Sequence, residues 1–116
     1  GCVVLWGRGY DADQPASLEW LRDTDVVYWG DIDTHGFAIL NRVRAHLPNA
    51  RSVLMDRETL LAHESTWGRE PAPTDVELSR LDAAERTLYS DLVTDRYGPT
   101  VRLEQERVNW EWALER

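Results

Sequence analysis

Apolar and polar positions divide the chain into short hydrophobic runs separated by longer stretches of mixed character. Three runs have strand character: Cys2 to Trp6, Asp25 to Trp29 and Ala50 to Leu54. Each is rich in β-branched or aromatic residues and ends near Gly or Asp. Between them the spacing turns helical. Pro15 and Ser17 can open a short helix carrying Leu18, Trp20 and Leu21. After Gly36, the residues Phe37, Leu40, Val43 and Leu47 recur at helical spacing, with Arg42, Arg44 and His46 turned elsewhere. Pro48 and Asn49 end that helix. Strand, helix, strand, helix, strand with short connections predicts parallel strands joined by right-handed crossovers, an α/β domain.

The second half reads as mostly helical. Asp56 is placed to cap a helix through Leu60, Leu61 and His63. Glu64 to Pro73 is a polar, proline-containing loop. Thr74, with Glu77 three residues later, has the pattern of a capping box, and Leu78, Leu81, Leu88 and Leu92 supply an apolar stripe up to Tyr97-Gly98-Pro99. Asp82-Ala-Ala-Glu85 offers a second start inside that stretch. Val101 and Leu103 read as a last short strand, and Val108 to Leu114 as a terminal helix.

The length of 116 residues fits one small domain spanning 1–116. Hydrophobic residues at 42% and charged residues at 29% are an ordinary globular balance, so disorder is not the expectation. No apolar run approaches a membrane span, and no secretory pattern is present, so no membrane partner is expected. The lone Cys2 excludes an internal disulfide framework and a Cys-based zinc cluster, which fits a cytoplasmic protein. The chain opens on Gly1 and enters a strand at once, so a fragment of a longer protein is expected.

Charge changes this picture. The net charge is −8, and all thirteen basic residues are Arg. So acidic a surface repels the DNA backbone as a whole. A nucleic-acid function would need basic surface in other segments, in partners or in a local Arg cluster. The absence of Lys excludes any mechanism that requires a catalytic lysine within these residues.

The segment richest in chemistry is Val26-Val-Tyr-Trp-Gly-Asp-Ile-Asp-Thr-His-Gly36. A hydrophobic strand runs into Gly30, then Asp31 and Asp33, then Gly36 and a helix. Residues two apart on an extended chain face the same side, so both carboxylates can face one cation while Ile32 enters the core. Ligands of open parallel sheets bind beyond the carboxyl ends of the strands. Mg²⁺ takes one or two carboxylates together with water and phosphate. A second reading stands beside this one with equal weight: Asp33 or Thr34 simply caps the helix.

Other polar positions are less specific. His35 reads first as a first-turn residue of the helix, and otherwise as a phosphate contact or a neighbour of the metal. In Arg102-Leu-Glu-Gln-Glu-Arg107, Glu104 and Glu106 can add a carboxylate or act as general base, and Arg102 and Arg107 can hold phosphate. A solvated set of ion pairs is the plainer reading of each taken alone. Gly7-Arg-Gly-Tyr10 can cradle phosphate with backbone amides and Arg8, although an ordinary turn explains it as well. Trp110 and Trp112 are two apart and cannot share one helical face, which leaves one of them for a partner or for the missing part of the chain.

Taken together, Tyr28-Trp-Gly-Asp-Ile-Asp-Thr-His-Gly-Phe37, Arg42-Val-Arg-Ala-His-Leu-Pro48, Leu54-Met-Asp56 with Leu60-Leu-Ala-His63, and Arg102-Leu-Glu-Gln-Glu106 resemble the C-terminal domain of JetD, the nuclease subunit of the Wadjet plasmid-defence system. The MksG proteins of condensin-like complexes are similar. The Asp-x-Asp strand end also resembles the Toprim domain of type IIB topoisomerase A subunits and of the related meiotic double-strand-break enzymes. The resemblance implies a Toprim (Rossmann-like) fold, mainly a parallel sheet flanked by helices, and an Mg²⁺- or Mn²⁺-dependent DNA endonuclease. It implies Asp31 and Asp33 as the metal pair, with Glu104 and Glu106 as a less defined acidic segment. Implied partners are DNA and the SMC-like, kleisin-like and accessory subunits of a condensin-like complex, together with a homodimer. Toprim domains also carry a glutamate at the end of an earlier strand. Nothing before Gly7 is acidic, so that strand and an N-terminal DNA-binding region are expected to be missing, leaving the fragment inactive or weakly active.

Two rivals belong beside it. Asp31-Ile-Asp33-Thr34 resembles the nucleophile motif of haloacid-dehalogenase-type phosphatases, although those enzymes need a lysine that this chain lacks. The other rival is a non-catalytic acidic, Trp-rich docking module whose Asp pair only caps a helix.

Overall fold

The β-branched run at Asp25–Trp29 becomes β2, the middle strand of a three-stranded parallel sheet. The computed structural model describes residues 2–6 and 25–115. The expected helix near Pro15 and the turn carrying Arg8 lie outside the described residues. Strand β1 (Cys2–Trp6) pairs along the full length of β2, with Leu5 opposite Tyr28. On the other side lies β3 (Arg51–Ser52), with Val27 opposite Arg51. It is shorter than the expected Ala50 to Leu54 because Leu54 takes a left-handed backbone conformation, φ 57°, which ends strand geometry. One further bond, Val53 N–H to Tyr28 O at 3.0 Å, extends the attachment.

Helix α1 (Thr34–His46) connects β2 to β3 and buries Phe37, Ala38, Leu40 and Val43. It begins ahead of Phe37 because Asp33 caps it, accepting from Gly36 N–H at 2.6 Å. Arg44 points inward: it donates to Ala50 O and Arg80 O and forms a two-pronged ion pair with Glu85. Helix α2 (Arg57–Ala62) starts at Asp56, whose carboxylate accepts from Thr59 N–H at 2.7 Å, as its spacing indicates.

The helix expected from Thr74 does not form. Helix α3 (Ala83–Val93) begins at Asp82, where Asp82 and Glu85 make the reciprocal capping box. Residues 74–81 are held without helix by long-range bonds. Thr74 N–H donates to Thr34 Oγ1 (2.8 Å), Arg80 N–H donates to Asn41 Oδ1 (2.8 Å), and the Tyr89 hydroxyl donates to Val76 O (2.6 Å). Leu78 and Leu81 therefore reach the core from irregular chain. The expected loop from Glu64 to Pro73 contains a short strand, β4 (Gly68–Arg69), antiparallel to β5 (Val101–Arg102). A final short helix, α4 (Trp110–Leu114), is capped by Asn109. Trp112 packs edge-on against the His63 ring. Trp110 meets Trp29 and stays 62% exposed, so the two tryptophans do take different faces. Among the described residues, no helix is long and apolar enough to cross a membrane.

Candidate functional site

At the carboxyl end of β2 the chain reverses tightly. A Cβ on Gly36 would lie 2.0 Å from Asp31 O, so only glycine lets the first turn of α1 fold against the strand end. Between them, Ile32 enters the core at 1% exposure. Its backbone forms an isolated antiparallel bridge with Leu103, the residue after β5. Side chains alternate along both segments. Burying Ile32 and Leu103 therefore turns Asp31 and Asp33 on one segment, and Arg102 on the other, to a common face.

The carboxylates converge there. Asp31 Oδ1 accepts from Gln105 N–H at 2.7 Å, and its Oδ2 accepts from Arg102 Nη2 at 3.1 Å. Asp33 Oδ1 is taken by the cap of α1, and its Oδ2 lies 3.2 Å from Arg102 Nε. Each carboxylate thus gives one oxygen to the backbone and the other to a shared cation, which in this structure is the Arg102 guanidinium. The Nε contact is an ion pair without hydrogen-bond alignment, so Arg102 Nε–H has no hydrogen-bond partner. Burial opposes the Arg102 charge. The hydrogen bond to Asp31 and the charges of Asp33, Asp31 and Glu104 outweigh it and hold the group more firmly protonated.

Glu70 is a third acidic residue at this place, and the sequence does not point to it. The β4–β5 ladder and a bond from its own N–H to Thr100 O (2.7 Å) carry it to the start of α1. It is buried there. Its Oε1 accepts from Thr34 N–H (3.1 Å) and Thr34 Oγ1–H (2.7 Å), and its Oε2 accepts from His35 N–H (3.1 Å). Asp33 and Glu70 together satisfy three first-turn N–H groups with negative charge, the arrangement a helix start favours. Burial, followed by the nearby Glu70 charge, raises Asp33 to about 6, despite the opposing Gly36 bond and Arg102.

A cavity of about 330 Å³ opens at this face, and Tyr28, Asp31, Asp33, His35, Glu70 and Arg102 contribute to its walls. The Tyr28 hydroxyl is buried there without a hydrogen-bond partner. Burial, and then the charges of Asp31 and Asp33, push its pKa upward, so it stays a donor. His35 is an exposed first-turn residue whose ring contacts Ala72 O. Glu104 follows the bridge and is half-buried beside Arg102. Glu106 and Arg107 lie in the next turn, Gln105–Arg107, are exposed, and do not line this cavity. Arg107 instead borders a separate cavity with His63, Asn109 and Trp112.

Among the described residues, no group of three or more His, Cys, Asp or Glu is arranged to hold a metal ion. The two Oδ2 atoms nevertheless meet on one cation beside an open cavity. Two carboxylate oxygens with room for water and phosphate are a donor set that suits Mg²⁺ or Mn²⁺.

Fold and site define an α/β domain with a carboxylate pair at the end of the middle strand of a parallel sheet. The family model described as Wadjet protein JetD, C-terminal, matches residues 1–116, and the chain belongs to that family. Membership associates it with Wadjet plasmid defence. No curated protein matches the chain.

Proposed function

We propose that this domain is the DNA-cleaving part of an SMC-type anti-plasmid complex, a Toprim-type nuclease dependent on Mg²⁺ or Mn²⁺. The observation that carries the reading is the convergence of Asp31 Oδ2 and Asp33 Oδ2 on one cation at an open cavity beyond a strand end. Asp31 and Asp33 would hold the metal, and Glu104 would assist from the adjoining segment, with Glu106 a more distant candidate. Arg102 and His35, at the cavity wall, would hold phosphate, and Arg8 and Arg107 would contribute further contacts to DNA. A bound metal would polarise the phosphodiester and stabilise charge on the attacking or leaving oxygen. The chain's own residues orient the phosphate, and Tyr28 offers an unused hydroxyl donor at the cavity wall. With a net charge of −8 the DNA affinity would come mostly from other segments, from the SMC-like, kleisin-like and accessory subunits, or from a local Arg cluster.

The test is cleavage of plasmid DNA in Mg²⁺ by the assembled complex, with Asp31→Ala and Asp33→Ala combined. Cleavage should fall by at least about a hundredfold, the scale of losing a metal's charge stabilisation, while assembly and DNA binding persist. Undiminished cleavage would refute the assignment. A docking role has its own support in the exposed Trp110 and Leu114 on α4. It predicts that Trp110→Ser weakens subunit assembly while the Asp pair does not.

A further inference from the structure

Arg102 occupies the position between Asp31 and Asp33 that a shared metal ion would need. The arrangement is loose on the guanidinium side and firm elsewhere. Arg102 Nε–H lacks a hydrogen-bond partner, and the side chain is still 19% exposed beside the cavity. The carboxylates, by contrast, are fixed through their other oxygens by Gln105 N–H and Gly36 N–H. The pair would therefore keep its geometry if the guanidinium left. Arg102 itself would remain tethered, because β5 pairs with β4 and Leu103 is bridged to Ile32. A displaced guanidinium has the same cavity beside it, where a phosphodiester offers it a two-pronged partner.

We propose that Arg102 is a resident counter-cation that is exchanged for the metal, so that metal and phosphodiester bind cooperatively. The proposal rests on the metal reading of Asp31 and Asp33. Without a phosphodiester, a divalent ion must displace Arg102 from both carboxylates and leave it half-buried with only the Glu104 charge beside it. A phosphodiester draws the guanidinium away and frees both Oδ2 atoms. A metal, in turn, releases Arg102 for the phosphate. Each ligand then raises the affinity of the other by the same factor. The device leaves the acidic pair partly neutralised, and weaker for metal, until a phosphodiester arrives.

The experiment is a titration with Mn²⁺, following free Mn²⁺ by electron paramagnetic resonance, on the wild type, Arg102→Gln and Arg102→Lys, with and without dimethyl phosphate. Circular dichroism checks that each variant is folded. Arg102→Gln should bind Mn²⁺ about tenfold more tightly than wild type, equivalent to removing a competing interaction of about 1.4 kcal/mol. Arg102→Lys keeps a competing positive charge beside the pair and should show a smaller gain. Dimethyl phosphate should tighten Mn²⁺ binding to wild type and leave Arg102→Gln unchanged. Equal or weaker Mn²⁺ binding by folded variants overturns the exchange and leaves the metal reading standing. Absence of Mn²⁺ binding in all three proteins overturns both. Wild type alone provides a further check. Adding Mg²⁺ should shift the Arg102 Nε–Hε resonance, identified by its loss in Arg102→Lys, and an unmoved resonance overturns the proposal even if Arg102→Gln fails to fold.

Discussion

Ile32 and Leu103 exchange both backbone hydrogen bonds, Ile32 N–H to Leu103 O at 2.9 Å and Leu103 N–H to Ile32 O at 3.1 Å. Neither belongs to a longer ladder; the bridge is isolated. Its two side chains are nonetheless among the most deeply buried of the described residues. This single junction ties the end of the parallel sheet to the β4–β5 ladder. By alternation, it also sets Arg102 against the two aspartates. Burial of two apolar side chains thus positions three charged ones.

Leu103→Ala should therefore damage both stability and site. A fully buried leucine truncated to alanine loses about 2–5 kcal/mol through lost transfer energy and the cavity left behind. Urea denaturation measures the first effect. The second is read from the Arg102 Nε–Hε resonance, which should broaden as the guanidinium loses its fixed place. A loss under about 1 kcal/mol with an unchanged resonance would show that the bridge does not position Arg102.

Asp33 gives a pH dependence with a definite sign. Its pKa rises from the ordinary 3.8 to about 6 in the fold, chiefly through burial and then through Glu70. The folded state therefore holds this proton more tightly than the unfolded chain does. Its contribution is fully present below about 4 and is lost as pH rises through about 6. Asp33→Asn is neutral at every pH and keeps an oxygen for the cap of α1. It should be more stable than wild type at pH 8, by an amount on the order of 1–3 kcal/mol, and the advantage should vanish toward pH 4. Melting temperatures at pH 8, 6 and 4.5 check this. An advantage that grows toward low pH would contradict it.

Glu85 anchors a half-buried ion pair outside the site. Its carboxylate pairs with Arg44, accepts from the Ser52 hydroxyl and completes the capping box of α3. Burial raises its pKa, but these bonds outweigh that and leave it lowered. Glu85→Ala leaves Arg44 half-buried without this partner and should cost about 3–5 kcal/mol. Arg44→Met combined with Glu85→Leu should recover much of that loss. Chemical denaturation of the two variants compares them, and equal losses would contradict the pairing.

The three parallel strands, apart from the early end of β3, and α1 were readable because their signals are local. Three β-rich runs, the Phe37 to Leu47 spacing and the Asp56 cap each depend on neighbours within one turn or strand. Thr74-x-x-Glu77 and Asp82-x-x-Glu85 look alike as capping boxes, and only the second one caps a helix. The difference lies forty residues away, in Thr34 Oγ1, which takes the Thr74 N–H. Glu70 carried no signal at all. It is one acidic residue in a polar, proline-containing loop, and the ladder that delivers it is two residues long. Arg102 could be read as a charged neighbour of acidic residues. Its place between the aspartates required the Ile32–Leu103 bridge, which no periodicity reveals.

Glu70→Gln isolates what that hidden carboxylate does. Gln keeps the shape and one acceptor oxygen, and loses the negative charge and the second acceptor. Thr34 N–H and the Thr34 hydroxyl share one oxygen, and His35 N–H uses the other. One side of this set must therefore lose its acceptor. The start of α1 also loses a charge worth about 0.3–1 kcal/mol to a helix dipole, so the total cost should be about 1–3 kcal/mol. At the same time Asp33 loses the second-largest influence raising its pKa, so its titration should move from about 6 toward the ordinary value. Carboxyl carbon shifts of Asp33 followed by NMR across pH 3 to 8 measure that midpoint directly. A variant that is less stable but leaves the Asp33 midpoint in place would make Glu70 a helix cap only. A lowered midpoint would make it a regulator of the aspartate's charge.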